Sequence, residues 1–137
     1  MNDDILRSKI KLVAENIEKL QANLPEGFED FQKNDLVMSA SERYFQIIVD
    51  AIIDCNQILI EKNNLPASDT YFNTFSTLSK ISIFPSDLLE NLSYCVGTRN
   101  ALVHKYEHIQ LKREFEDIKK YLLLFKQYLK IISEKTL

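Results

Sequence analysis

Chemistry concentrates in one short stretch of this chain, Arg99-Asn100-Ala101-Leu102-Val103-His104-Lys105-Tyr106. An imidazole that titrates near neutral pH can take a proton from a hydroxyl or return one to a leaving oxygen. A guanidinium is always charged, and its fork matches two non-bridging phosphate oxygens. Together these types suit cleavage of an RNA phosphodiester. His104 would serve as general base for a 2′-hydroxyl or as general acid for the departing 5′-oxygen, and Arg99 would stabilise the added charge of the transition state. Asn100 is a supporting hydrogen-bonding group. This route calls for no cofactor and no metal, and the acidic residues are dispersed rather than gathered around His104. A single His fills only one of the two proton-transfer roles, so two copies of the motif brought together by a twofold axis would supply both.

Helix geometry constrains how these side chains can meet. Five residues separate Arg99 from His104, which leaves them roughly 140° apart on a helix of 3.6 residues per turn, whereas Asn100 and His104, four apart, share a face. Arg99 falls on the stripe Leu89, Leu92, Val96, Arg99, Val103, Tyr106. A guanidinium on an apolar stripe needs a negative partner. Asp54, or a bound phosphate, is a candidate.

The elements that position the motif read as helices throughout. Leu6, Ile10, Val13, Ile17, Leu20 and Leu24 recur at steps of four and three, and Pro25 and Gly27 end that run. Residues Phe28 to Lys33 read as a loop. A long helix is expected from Asp35, with Val37, Ala40, Tyr44, Ile47, Ala51 and Ile58 on one stripe and Ile48, Ile52, Cys55 and Leu59 beside it, ending at Asn63, Asn64 and Pro66. Ser68 or Asp69 can cap a shorter helix that buries Tyr71, Phe72, Phe75 and Leu78. After Pro85, Ser86 opens a helix that runs through the motif, and a last one begins near Lys112 with Phe115, Ile118, Leu122, Phe125, Leu129 and Ile132 inward. The spacing predicts an all-α fold, an up-and-down bundle of four to five helices occupying residues 1–137 as one domain, with apolar stripes long enough for a homodimer.

Composition agrees and excludes several classes. The chain has 137 residues, 45% of them hydrophobic and 27% charged, with only 2 Gly and 3 Pro, a globular profile rather than a disordered or fibrous one. The net charge of −3 argues against a general polyanion binder, yet it is unevenly spread. Residues 1–98 carry 8 basic and 15 acidic side chains, and residues 99–137 carry 9 and 5. A phosphate-bearing partner is therefore expected at the C-terminal part, through Lys105, Lys112, Arg113, Lys119 and Lys120, with His108 a surface residue. Cys55 and Cys95 lie forty residues apart without metal-ligand spacing, as small core hydrophobes would. The longest clean apolar run, Tyr121 to Phe125, is far short of the roughly 20 residues of a membrane span. A cytoplasmic protein with reduced thiols is the expectation.

The motif resembles the R-x4-H-x-Y signature of the HEPN superfamily, and within it the HepT-like RNase toxins that pair with a minimal nucleotidyltransferase antitoxin. The resemblance is carried by Arg99, Asn100, Leu102, Val103, His104 and Tyr106. It is extended by Glu42-Arg43, Ile53-Asp54, Ile58 to Ile60 and the stretch from Tyr71-Phe72 to Pro85. It implies an all-helical homodimer whose two motifs line a shared cleft, metal-independent endoribonuclease activity catalysed by Arg99 and His104, and attachment of AMP by the antitoxin to the Tyr106 hydroxyl. Phosphates added there would repel an RNA backbone and occupy its pocket. Thr98 and Lys105 depart from the usual pattern, and Gln57 and Ile58 stand where some relatives carry His. Two other readings use the same helices: a non-catalytic subunit that presents substrate or nucleotide to a nucleotidyltransferase, and a plain scaffold in which Arg99 pairs with Asp54.

Overall fold

The computed structural model describes residues 3–104 and 110–136. Among them every regular element is helical: α1 (Asp3–Asn23), α2 (Phe28–Lys33), α3 (Asp35–Lys62), α4 (Asn73–Leu78), α5 (Ser86–Ser93), α6 (Cys95–His104) and α7 (Leu111–Thr136). Three long helices, α1, α3 and α7, form the frame. α1 pairs most extensively with α3, and the four short helices fill the remaining sides of α3 and α7.

The stripe of α1 packs as expected, with Leu6, Ile10, Val13, Ile17 and Leu20 buried. Its end is stitched to the start of α3, where the Asn23 side-chain amide donates to the Val37 carbonyl and the Ser41 hydroxyl, each at 2.9 Å. α3 is capped at both ends by asparagines. The Asn34 side chain accepts from the amides of Leu36 and Val37, both at 3.1 Å, satisfying donors the helix cannot. At the other end Asn64 turns left-handed at φ 58°. Its amide then reaches Glu61 O and that of Leu65 reaches Ile60 O, a Schellman closure. On α3 the second of the two expected stripes, Ile48, Ile52, Cys55 and Leu59, is buried throughout, and Ala51 of the first stripe joins it with Val49, Ile53, Asn56 and Ile60. Val37, Ala40, Tyr44, Ile47 and Ile58 lie only partly inside.

Several local expectations fail. Residues Phe28 to Lys33 are not a loop but α2, with Glu29 and Asp30 in the favourable first turn. Phe31 is fully buried there, its ring centroid 5.0 Å from that of Phe115. Neither Ser68 nor Asp69 caps the third expected helix. The Thr70 hydroxyl accepts from the Asn73 amide at 3.1 Å, and Tyr71 and Phe72 stay outside α4 and exposed. The expected helix from Ser86 through the motif is two helices, α5 and α6, broken at Tyr94. The break shifts the register, so Leu102 is buried in place of Val103, which is exposed. Among the described residues the all-α bundle is built of seven helices, the three long ones where they were expected and the short ones resolved more finely.

On α7, Phe115, Ile118, Leu122, Phe125 and Ile132 are buried as expected, and Tyr121 and Tyr128 join them. Tyr128 is fully enclosed, its ring stacked on Phe84 with centroids 4.7 Å apart and its hydroxyl donating to Asn56 Oδ1 at 2.6 Å. Asn56 in turn donates to Thr74 Oγ1 at 3.2 Å. This buried chain ties α7, α3 and α4 together. No helix of the described residues is long and apolar enough to cross a membrane.

Candidate active site on helix α6

α6 is anchored by Cys95, Val96 and Leu102, all buried. Burial pushes the Cys95 thiol far up from its ordinary pKa and raises that of Cys55 to about 12, with Asp54 adding to the second shift. Neither is a nucleophile at physiological pH. With its inner face fixed, α6 turns Asn100, Val103 and His104 to the surface.

Arg99 leans from the flank of α6 toward α3. Its Nε donates to Asp50 Oδ1 at 2.9 Å and its Nη2 to Asp50 Oδ2 at 3.3 Å, a side-on fork. Nη1 donates to Asn100 Oδ1 at 3.1 Å. The expected partner, Asp54, is instead 3.0 Å from Lys9 Nζ on α1. Asp50 and Asp54 are one turn apart on the same face of α3, so the place where α6 crosses α3 decides which of them meets the arginine. Sequence reasoning missed Asp50 for this reason; its place one turn before Asp54 on the same face is the signal that could have found it. The Arg99 side chain is 25% exposed and that of Asp50 46%. The pair therefore sits at a solvent boundary where an incoming anion can reach it.

His104 lies exposed in the last turn of α6. Lys105, Tyr106 and His108 fall outside the described residues. Of the expected basic surface, Arg113 and Lys120 line a cleft of about 650 Å³ between α6 and α7. Lys112 is exposed outside that lining. Lys119 is engaged elsewhere, its Nζ donating to the Glu26 carbonyl at 3.0 Å and standing 5.3 Å from the Phe115 ring centroid. Among the described residues no group of three or more His, Cys, Asp or Glu side chains is placed to hold a metal ion.

The family model described as ribonuclease HepT-like matches residues 13–132. The chain belongs to the HepT-like ribonuclease family. Among curated relatives this HepT-like chain is 28% identical over 134 residues to the tRNA nuclease HepT of Aphanizomenon flos-aquae, covering 94% of this chain and 88% of that protein. It is 25% identical over 134 residues to the mRNA nuclease HepT of Shewanella oneidensis, covering 96% and 98%. Its fold superposes with a TM-score of 0.86 on a tri-AMPylated HEPN toxin of Shewanella oneidensis solved in complex with its MNT antitoxin, at 24% identity and covering 98% of this chain and 99% of that one. A HepT-like fold thus accounts for the helical frame, and α6 is the element that carries Arg99 and His104.

Proposed function

We propose that this HepT-like chain is a metal-independent endoribonuclease toxin acting as a homodimer, with Arg99 and His104 of both copies lining one cleft. The observation that carries the reading is the orientation of Arg99. Asp50 holds the Nε and Nη2 edge and Asn100 holds Nη1, which keeps a charged donor plane beside the exposed face of α6. A phosphate approaching that face exchanges its water for preorganised donors. One His104 takes the 2′-hydroxyl proton, the 2′-oxygen attacks phosphorus, and the bond to the 5′-oxygen breaks as the second His104 delivers a proton to it. On the α6 surface Arg99 and His104 flank the exposed Asn100 and Val103 from opposite sides. A twofold contact across that surface would bring two such pairs together without distorting the helix.

The family membership supports the reaction class, and the nuclease names of the two curated relatives support RNA as substrate. The complex of the Shewanella oneidensis toxin with its antitoxin supports a minimal nucleotidyltransferase as the partner that silences this chain, with Tyr106 as the hydroxyl that receives AMP. Lys105, Lys112 and Arg113 would contribute salt-sensitive attraction for the RNA backbone.

The test is direct. Purified His104→Ala and Arg99→Ala proteins are expected to keep wild-type circular dichroism and to lose RNA cleavage by at least about a hundredfold. A folded His104→Ala protein that still cuts RNA removes the proposal. Incubation with the nucleotidyltransferase and ATP should add whole AMP increments to the intact mass of the wild type and none to Tyr106→Phe.

A further inference from the structure

We propose that the cleft between α6 and α7 is the subsite for an unpaired nucleotide of the RNA substrate, with Tyr94 as the stacking platform for its base and Arg113 and Lys120 as the groups that hold its phosphate. The assignment rests on the reading of the chain as a ribonuclease and adds where the strand lies and which feature of RNA is read.

Tyr94 stands at the break between α5 and α6 and is 54% exposed. It forms a ridge between two depressions. On one side the Phe72 ring, itself 41% exposed, meets it at a centroid distance of 5.6 Å in a cleft of about 380 Å³. On the other side Tyr94 is one wall of the 650 Å³ cleft. Both rings keep about half of their surface open to solvent, and a nucleobase released from a loop or an end stacks on such a surface whatever its identity.

The opposite wall supplies charge in a particular order. Arg113, Glu114, Asp117 and Lys120 line the cleft from successive turns of α7, so two cations bracket two carboxylates, the buried Glu114 and Asp117, along about 10 Å of helix. Lys120 Nζ stands 4.9 Å from the ring centroid of Tyr121, which also lines the cleft. A ligand made only of phosphates would be repelled at Glu114 and Asp117. A nucleotide is not, because its ribose hydroxyls and exocyclic amines are donors that a carboxylate accepts while the phosphates meet Arg113 and Lys120.

The third observation is continuity with α6. Thr98 and Ala101 line the cleft, and His104, three residues beyond Ala101, lies about 60° around the same helix and about 4.5 Å along it. Arg99 lies on the far flank, toward Asp50. A strand seated in the cleft therefore leaves it past His104 before its next phosphate reaches Arg99.

The experiment uses fluorescence anisotropy with a labelled single-stranded RNA decamer and a duplex RNA of the same composition, in a His104→Ala background so that nothing is cut. Tyr94→Ala is expected to weaken single-strand binding about tenfold, Tyr94→Phe to leave it near wild type, and the duplex to respond to neither. The double substitution Arg113→Gln, Lys120→Gln should weaken binding and flatten its dependence on salt. The proposal is overturned if Tyr94→Ala binds the single strand within twofold of its parent, or if both RNAs weaken alike. It is also overturned if Tyr94→Ala dissociates a dimer in sedimentation without altering binding, which would make the ridge a contact between copies. Failure here is separable from failure of the nuclease reading. RNA cleavage by the wild type alongside unchanged binding by Tyr94→Ala removes the subsite alone, whereas Tyr94-dependent binding without cleavage by the wild type removes the nuclease reading alone.

Discussion

A partly exposed ion pair such as Arg99 with Asp50 adds at most about 1 kcal/mol to stability, so its importance lies in orientation. Losing Asp50 frees a guanidinium that is otherwise held by two hydrogen bonds on one edge, and small misplacements of a catalytic group are expensive in rate. Asp50→Ala is therefore expected to leave the urea midpoint nearly unchanged while lowering kcat of the proposed cleavage by about tenfold or more, with a smaller change in KM. Asp54→Ala, which loses only the contact to Lys9, should do neither. Equal kinetic effects of the two substitutions would overturn the orientation account. The buried titratable groups make a separate statement. Burial raises the Cys55 pKa from 9.0 to about 12 and that of Tyr121 from 10.0 to about 12. Because the native state holds these protons more tightly than the unfolded chain does, their contribution is intact below pH 9 and declines as pH rises toward 12. Stability then falls progressively across that range. Urea melts between pH 8 and pH 11 should show a falling midpoint; a flat profile would contradict the burial of these groups.

At the level of elements, the short helices depend on side chains inserted between the long ones. α2 spans six residues and could not persist alone. Phe31, fully buried against Phe115, holds it, so Phe31→Ala should cost about 3–5 kcal/mol in a denaturant melt. A loss below 1 kcal/mol would return residues Phe28 to Lys33 to the status of a loop. The α3–α4–α7 junction behaves differently because its centre is polar. Tyr128→Phe keeps the ring stacked on Phe84 but leaves Asn56 Oδ1 without its donor. The expected loss is about 1–3 kcal/mol, with little effect on the exposed face of α6.

For the whole molecule, charge and symmetry carry the consequences. The acidic excess of residues 1–98 faces a basic excess in residues 99–137, so RNA affinity should fall steeply with added salt even though the net charge is negative. If each dimer uses both copies of His104, one as base and one as acid, mixed dimers with a His104→Ala copy are inactive. After subunit exchange at equal ratio, activity should then fall to about one quarter of that of an undiluted wild-type sample, the share of dimers with two intact copies. A fall to one half would mean that each copy works independently.

Much of this was legible without coordinates, because helix periodicity is a property of adjacent residues. The stripes of α1 and α7, the stop at Pro25, the asparagine end of α3 and the R-x4-H motif all depend on what stands three, four or five positions away. Net charge and its asymmetry are likewise additive over the chain. What only the tertiary structure decided was how distant segments meet: that Arg99 takes Asp50 rather than Asp54, that Phe31 makes a helix of an apparent loop, that Tyr94 interrupts one apparent helix, and that Lys119 turns away from the cleft that Arg113 and Lys120 share. Each choice lies between positions the local pattern treats as equivalent. Crossing geometry and the exclusion of water from one of them make the difference.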